Sequence, residues 1–284
     1  MTHSATIRQL PVNQVELFYQ EQGQGTPVVC VHGAMSDLRA WELQRDAIAR
    51  RHRFIALTQR YFGTAPWADD GAQFSLATHA DDLAAFIRAH IHTFKCGPVD
   101  LVGWSYSGAV VLLVALHHPE LVRRLFVYEP GMLSWVTDAA ALERAKQDRN
   151  AIFAAAAVPA KAGDSLSATR LLAEAFSATP GYLDSAPPLL RSMLLDNART
   201  VPLLYGAPLP APITSADLAT LRLPVTLARG ELTRPFYAIA TDAASRCIAG
   251  AQHVVIPGVG HFAPWQNAAL FNASVLHFLN ETQA

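Results

Sequence analysis

The stretch Val99-Asp100-Leu101-Val102-Gly103-Trp104-Ser105-Tyr106-Ser107-Gly108 largely determines which fold this sequence can adopt. The apolar run Val99–Val102 predicts a buried strand, and the apolar segment 109–116 predicts a helix directly after it. The residues between them nearly match G-x-S-x-G, in which a serine occupies a strained strand-to-helix turn and small neighbours let strand and helix approach. The pattern therefore predicts that Ser105 is a nucleophile. The competing interpretation is an ordinary tight turn.

A second turn, His32-Gly33-Ala34-Met35, follows the apolar strand-like run Val28–Val31. Such a turn can direct a backbone N–H towards a developing oxyanion, together with the N–H of the residue after a nucleophile. This reasoning nominates Ala34 and Tyr106 as an oxyanion hole. On its own the turn would be interpreted as a plain glycine turn at a strand end, and His32 is expected to be structural.

A third signal is Gly258-Val259-Gly260-His261-Phe262, which follows the strand-like run Val254–Ile256. A histidine on a loop late in the chain is well placed to act as a general base that returns over the sheet. Of the eleven histidines, His261 combines a glycine-flanked loop, a preceding strand and the right chain order. We therefore predict that His261 is the base.

The order of elements predicts an α/β sheet interrupted by a helical insertion. Short apolar runs alternate with longer amphipathic segments up to about residue 130 and again from about residue 214. The stretch between them is rich in alanine and has no β-branched strand run. The predicted organisation is a core formed by residues 1–130 and 214–284, with a helical cap at 131–213.

The amino-acid composition argues against nucleic acids and anionic membranes as binding partners. The 284 residues carry 22 basic and 23 acidic side chains, and 51% of the residues are hydrophobic, which predicts a globular chain without an electrostatic surface for nucleic acid or anionic membranes. No apolar run reaches the length of a membrane span, and Met1–Leu10 lacks a secretory pattern. We expect a cytoplasmic protein with a small-molecule substrate, no metal and no cofactor. The sequence leaves a homodimer open.

Together these motifs resemble the α/β-hydrolase superfamily. The resemblance runs from His32-Gly33 through the loop Gln59-Arg60-Tyr61-Phe62-Gly63, the Ser105 turn and the inserted segment to Gly260-His261. It implies a mostly parallel eight-stranded sheet flanked by helices, with a helical cap over the site. The combination is specific for the superfamily and carries no information about the substrate.

The sequence departs from the family at the expected position of the triad acid. The family usually has Gly-x-x-Asp after the strand that ends here at Gly230, whereas this chain reads Gly230-Glu231-Leu232-Thr233. A neutral threonine cannot stabilise an imidazolium as a carboxylate does. Glu129, at the end of the strand after the Ser105 helix, resembles the acid of family branches such as the haloalkane dehalogenases. Glu231 and a site with no working acid are the alternatives.

The residues and the resemblance predict a serine hydrolase that cleaves a small, largely apolar carboxylic ester or lactone through an acyl-enzyme. Arg60, Arg199 and Tyr205 are candidate polar anchors for the substrate. The alternatives are a C–C bond hydrolase of vinylogous ketoacids and a non-catalytic small-molecule binder on the same fold. The binder alternative is based on Thr233, and labelling with a fluorophosphonate would distinguish it.

Overall fold

A computed structural model describes residues 6–207 and 211–280. The first five residues of the amino-terminal segment discussed above therefore lie outside the described part. Within it, eight strands form one sheet: β1 (Ile7–Val12), β2 (Val15–Gln22), β3 (Pro27–Val31), β4 (Arg53–Leu57), β5 (Val99–Trp104), β6 (Val122–Tyr128), β7 (Val225–Gly230) and β8 (Gln252–Ile256).

The helices of the described residues are α1 (Glu42–Ala49), α2 (Leu76–Phe94), α3 (Tyr106–His117), α4 (Ala139–Lys161), α5 (Ser165–Ser177), α6 (Tyr182–Ser185), α7 (Pro188–Asp196), α8 (Val201–Gly206), α9 (Ser215–Leu218), α10 (Pro235–Cys247), α11 (Ala263–Gln266) and α12 (Ala268–Asn280). Short 3₁₀ turns lie at Leu38–Trp41, Pro119–Leu121 and Ala198–Thr200. In this part of the chain no helix is long and apolar enough to cross a bilayer.

The sheet has the order β1-β2-β4-β3-β5-β6-β7-β8. β1 and β2 pair antiparallel with each other, and β2 pairs antiparallel with β4, whereas every pairing from β4 to β8 is parallel. This confirms the mostly parallel eight-stranded sheet expected from the sequence. Because the parallel strands end at one edge, the residues that follow β3, β5, β6 and β7 meet there.

Helices cover both faces of the sheet. Residues of β3 alternate between the two faces: Val28 and Cys30 pack with α1 and α12, and Val29 and Val31 pack with α2 and α3. Every residue of β3 and of β5 is buried, as expected for parallel strands with helices on either side. The core thus holds the carboxyl ends of the central strands in fixed positions.

The described residues between β6 and β7 add no strand to the sheet. Their helices α4, α5, α7 and α8 contribute Ile152, Leu172, Met193 and Val201 to the same buried cluster as Trp104. This segment therefore packs close to the Ser105 turn.

Three buried histidines make the free energy of unfolding depend on pH in the acidic range. Burial lowers the pKa of His32 to about 4, of His79 to about 3 and of His90 to about 4, from an ordinary 6.5. The unfolded chain takes up protons as the pH falls below 6.5, and the folded chain does so only near 4. The contribution of these neutral histidines to the free energy of unfolding is therefore complete above pH 6.5, and it decreases as the pH falls below that value. We expect about 2 kcal/mol lost per histidine at about pH 5.

Urea unfolding at about pH 7.5 and about pH 5 would measure this loss. Neither ring nitrogen of His90 has a hydrogen-bond partner among the described residues. His90→Leu should therefore reduce the difference between the two pH values by about 2 kcal/mol. The matched control is His92→Leu, an exposed position on the same helix, which should leave the difference unchanged. Equal differences in all three proteins would contradict the prediction.

Candidate active site

Ser105 lies at the sharp turn between β5 and α3. Its backbone has φ 59° and ψ −115°, a strained combination for a residue with a side chain. Two contacts hold the turn: the Ser105 N–H donates to Tyr128 O at 2.9 Å, and the Ser105 carbonyl accepts the Gly108 N–H at 2.9 Å. The turn projects the Ser105 hydroxyl beyond the carboxyl end of the sheet, as the sequence pattern predicts.

Small residues around Ser105 permit this turn. A Cβ at Gly103 would lie 2.6 Å from Val111 Cγ2, and a Cβ at Gly108 would lie 2.9 Å from Pro130 Cα. Ser107 stands where the pattern usually has its last glycine. Its hydroxyl donates to Val31 O at 2.6 Å and accepts the Trp104 N–H at 2.9 Å, so the extra polar atom is fully used in tying β5 to β3.

His261 reaches Ser105 from the loop after β8. Its Nε2 lies 3.0 Å from Ser105 Oγ. The loop is held by the Trp104 indole, which donates to His261 O at 3.0 Å, and by the Tyr128 hydroxyl, which donates to Gly260 O at 2.6 Å. His261 is buried, with 3% of its surface exposed. The imidazole is therefore placed by β5 and β6 as well as by its own loop.

Glu129 completes a chain of contacts with His261. Glu129 Oε2 lies 2.6 Å from His261 Nδ1, and the glutamate is fully buried. Because β5 and β6 pair with Trp104 opposite Tyr128, Ser105 and Glu129 leave the sheet side by side. With Nδ1–H donating to Glu129, Nε2 is free to accept the Ser105 hydroxyl proton.

Besides His261, a backbone N–H and a hydroxyl group donate to the Glu129 carboxylate. The Gly230 N–H donates to Oε1 at 2.7 Å, and the Thr233 hydroxyl donates to Oε2 at 2.9 Å. Thr233 stands where the family usually has its acid, and in this structure it contacts the Glu129 carboxylate directly. Glu129 itself has φ 50°, a strained conformation of the kind that is kept at functional sites.

Glu231 has a different environment. It is exposed, and its Oε2 accepts the Gly258 N–H at 2.9 Å, which ties two loops together. Of the two carboxylates that the sequence offers, the structure brings only Glu129 to His261.

Thr233→Val should lower kcat about tenfold, because Oε2 loses a donor to a charged group and the carboxylate can turn away from His261. Thr233→Ser keeps the hydroxyl and should retain kcat within about twofold. Steady-state turnover would measure both. If the valine variant is as active as the serine variant, Thr233 has no role in holding Glu129.

The turn that carries Ala34 lies against Ser105. A Cβ at Gly33 would lie 3.3 Å from Ser105 Cβ, so glycine allows the close approach. His32 Nδ1 lies 2.8 Å from Gly33 O, and Nε2 accepts the Gln59 N–H at 3.0 Å, consistent with the expected structural role. Tyr106 is the first residue of α3, so its N–H has no acceptor within the helix.

A small cavity of about 10 Å³ adjoins Ser105, roughly the space one water requires. Its lining residues are Gly33, Ala34, Met35, Ser36, Trp104, Ser105, Phe176, Leu194, His261 and Phe262. Phe176 comes from α5 and Leu194 from α7. Apart from His261 no ionisable side chain is among these residues, and in the described part of the chain no cluster of three His, Cys, Asp or Glu could hold a metal.

The structure does not bring the three candidate anchors to this cavity. Arg60 is paired with Asp82 at 2.7 Å. Arg199 donates to Gly63 O at 2.8 Å, and the Tyr205 hydroxyl donates to Phe153 O at 2.6 Å. Each side chain is thus engaged in holding the protein together. A role in substrate binding stays a prediction that these contacts do not favour.

A family model described as the alpha/beta hydrolase family matches residues 28–273. The chain belongs to the α/β-hydrolase family. This match confirms the resemblance inferred from the motifs.

Known proteins resemble this α/β-hydrolase to different extents. It is 30% identical to (E)-2-((N-methylformamido)methylene)succinate hydrolase of Acinetobacter baylyi, over 38% of this chain and 39% of that protein. It is 32% identical to 2-hydroxymuconate semialdehyde hydrolase of a Pseudomonas species, over 37% of this chain and 36% of that protein. The chain thus matches less than half the length of each.

A likeness in structure extends over the whole chain. Carboxylesterase CesB of Bacillus subtilis superposes with a TM-score of 0.75, covering 99% of this chain and 94% of that one, at 17% identity. At this identity the likeness supports the fold and carries no information on the substrate.

Proposed function

We propose that this α/β-hydrolase is a serine hydrolase that cleaves a small, largely apolar carboxylic ester or lactone, with Ser105, His261 and Glu129 as its triad. The observation that carries the proposal is the unbroken chain of contacts from Ser105 Oγ to His261 Nε2 and from His261 Nδ1 to Glu129 Oε2, at 3.0 and 2.6 Å. All three residues are buried, so bulk water competes little for these contacts.

In the proposed reaction, His261 removes the Ser105 proton while Ser105 Oγ attacks the substrate carbonyl. The tetrahedral intermediate expels the alcohol, which takes the proton from His261, and an acyl-enzyme remains on Ser105. His261 then removes a proton from a water that attacks the acyl carbon, and the proton returns to Ser105 as the acid leaves. Glu129 stabilises the imidazolium in both half-reactions.

The N–H groups of Ala34 and Tyr106 are the proposed oxyanion hole. Two observations support them: Ala34 lines the same cavity as Ser105, and Tyr106 begins the helix that starts at the nucleophile. A helix N-terminus directs unpaired N–H groups and a positive dipole towards a developing negative charge.

Residues 131–213 are the proposed cap. Phe176 and Leu194 of this segment line the cavity, and a volume of about 10 Å³ cannot hold an ester. The cap must therefore move for substrate to enter. Among the contacts that close it, Arg234 pairs with Asp148 of α4 at 2.5 Å, and the Asn197 amide donates to Asp37 Oδ2 at 2.7 Å.

The lining of the cavity favours an uncharged substrate. No lysine or arginine is among the residues around it, and a buried substrate carboxylate without a cationic partner would be costly. The alternative is a C–C bond hydrolase of vinylogous ketoacids, which the match to 2-hydroxymuconate semialdehyde hydrolase supports. Such a substrate carries a carboxylate, for which this lining offers no cation, so we favour the ester or lactone.

Three probes test the proposal: a fluorophosphonate, a series of short-chain p-nitrophenyl esters and lactones, and a vinylogous ketoacid. We expect covalent labelling of Ser105 and hydrolysis of the neutral esters or lactones. Labelling with cleavage of the ketoacid alone would establish the C–C hydrolase instead. A folded protein that binds these compounds without labelling or turnover would be the non-catalytic binder, and the proposal would be wrong.

A further inference from the structure

Tyr237 covers one face of the His261 imidazole. The two ring centroids lie 3.9 Å apart and the ring planes differ by 16°, which is a parallel stack. The other aromatic rings around His261 lie at 5.7 to 5.9 Å and are tilted or edge-on: Trp104, Phe176 and Phe262. Tyr237 is thus the ring in parallel contact with the imidazole, and it is 2% exposed.

The start of α10 fixes the position of this ring. The Tyr237 N–H donates to Arg234 O at 3.1 Å. Asp148 of α4 accepts the Phe236 N–H at 3.0 Å and pairs with the Arg234 side chain. These contacts fix the backbone that carries the Tyr237 ring, and they join α10 to α4 in the segment between β6 and β7.

The Tyr237 phenol is neutral in this environment. Burial and the nearby negative charge of Glu129 raise the pKa of Tyr237 well above its ordinary value, against the smaller opposing effect of hydrogen bonding to the Ser105 side chain. The ring therefore adds no charge beside His261. It presents the electron-rich face of an aromatic ring, which attracts a cation.

We propose that Tyr237 is a positioning residue of the triad: its ring holds the imidazole in the plane that joins Ser105 to Glu129 and stabilises the imidazolium. The inference rests on the proposed function. The contacts from Trp104 and Tyr128 hold the loop through its backbone carbonyls. They fix the position of the His261 backbone and leave the rotation of its ring to the groups that contact the ring itself. The stack at 3.9 Å places the Tyr237 ring directly against the imidazole, so the proposed effect of the ring is exerted through His261.

Three variants distinguish the effect of the Tyr237 ring on His261 from the effect of packing in this part of the core. Tyr237→Leu removes the stack, Tyr237→Phe keeps the ring without the hydroxyl, and Phe236→Leu is the matched control. Phe236 is also 2% exposed, on the same helix. We expect Tyr237→Leu to lower kcat about tenfold with KM unchanged, as the loss of a desolvated cation–π contact implies. Tyr237→Phe and Phe236→Leu should stay within about threefold of the wild type.

Proton NMR provides a readout that packing alone would not change. The His261 Nδ1 proton, in a 2.6 Å hydrogen bond to Glu129, should give a low-field resonance in the wild type, Tyr237→Phe and Phe236→Leu. In Tyr237→Leu we expect it to be broadened or lost, because the imidazole can turn. Should the leucine variant fail to fold, Tyr237→Met fills the space with a flexible apolar chain and tests the same point.

Three results would overturn the inference. The first is wild-type kcat and a sharp resonance in Tyr237→Leu. The second is an equal loss in Phe236→Leu, which would make the effect one of packing. The third is an equal loss in Tyr237→Phe, which would assign it to the hydroxyl. If the wild type neither hydrolyses an ester nor labels, the proposed function fails, and the resonance alone then decides the role of Tyr237.

Discussion

Ser105→Ala should lower kcat for ester hydrolysis by a factor on the order of 10⁶, the loss found when a triad nucleophile is removed. The substitution deletes the atom that forms the acyl bond in the proposed reaction. The fold should be retained, because the Ser105 turn is held by its backbone contacts to Tyr128 and Gly108. Steady-state kinetics, with thermal unfolding to verify folding, would measure both expectations.

The matched control is Ser36→Ala. Ser36 is the second serine that lines the cavity, and its hydroxyl donates to Gly33 O at 2.9 Å instead of contacting His261. We expect Ser36→Ala to label with a fluorophosphonate and Ser105→Ala to remain unlabelled. Labelling of a folded Ser105→Ala variant would show that another residue is the nucleophile.

Local sequence signals carry much of the prediction of this site. Ser105 comes directly at the end of a strand run, and His261 lies on the short glycine-containing loop after another one. Both have small neighbours of the kind that tight turns favour. Because parallel strands end at one edge of the sheet, two such signals suffice to predict that the residues meet. Their separation of 3.0 Å in the structure follows from strand order that short runs of sequence do not encode.

Residues whose partners lie far along the chain are harder to identify. Arg60 pairs with Asp82, and the Tyr205 hydroxyl donates to Phe153 O. No sequence pattern predicts either contact, because the partners lie far apart along the chain. In the sequence, Thr233 indicates that the usual acid of the triad is missing. Only the structure shows that its hydroxyl lies 2.9 Å from the Glu129 carboxylate. Tyr237 gives no signal in sequence, since an aromatic residue in the first turn of a helix is more often core.

Glu129→Gln should keep the fold and lower kcat by about 10⁴, the loss found when an amide replaces the acid of a triad. The surroundings of Glu129 determine how the amide orients. The Gly230 N–H, 2.7 Å from Oε1, requires an acceptor there, so the amide oxygen takes that side. The amide nitrogen then faces His261 Nδ1 and donates to it. This leaves the imidazole proton on Nε2, where it faces Ser105, and the base cannot accept the Ser105 proton.

Glu231→Gln is the matched control, because it makes the same chemical change in a glutamate that does not contact His261. Its carboxylate is exposed and accepts from the Gly258 N–H, so kcat should change less than about threefold, as for other surface substitutions. If Glu129→Gln is active and Glu231→Gln is not, the acid is Glu231, and the contact between Glu129 and His261 serves only to hold the loop.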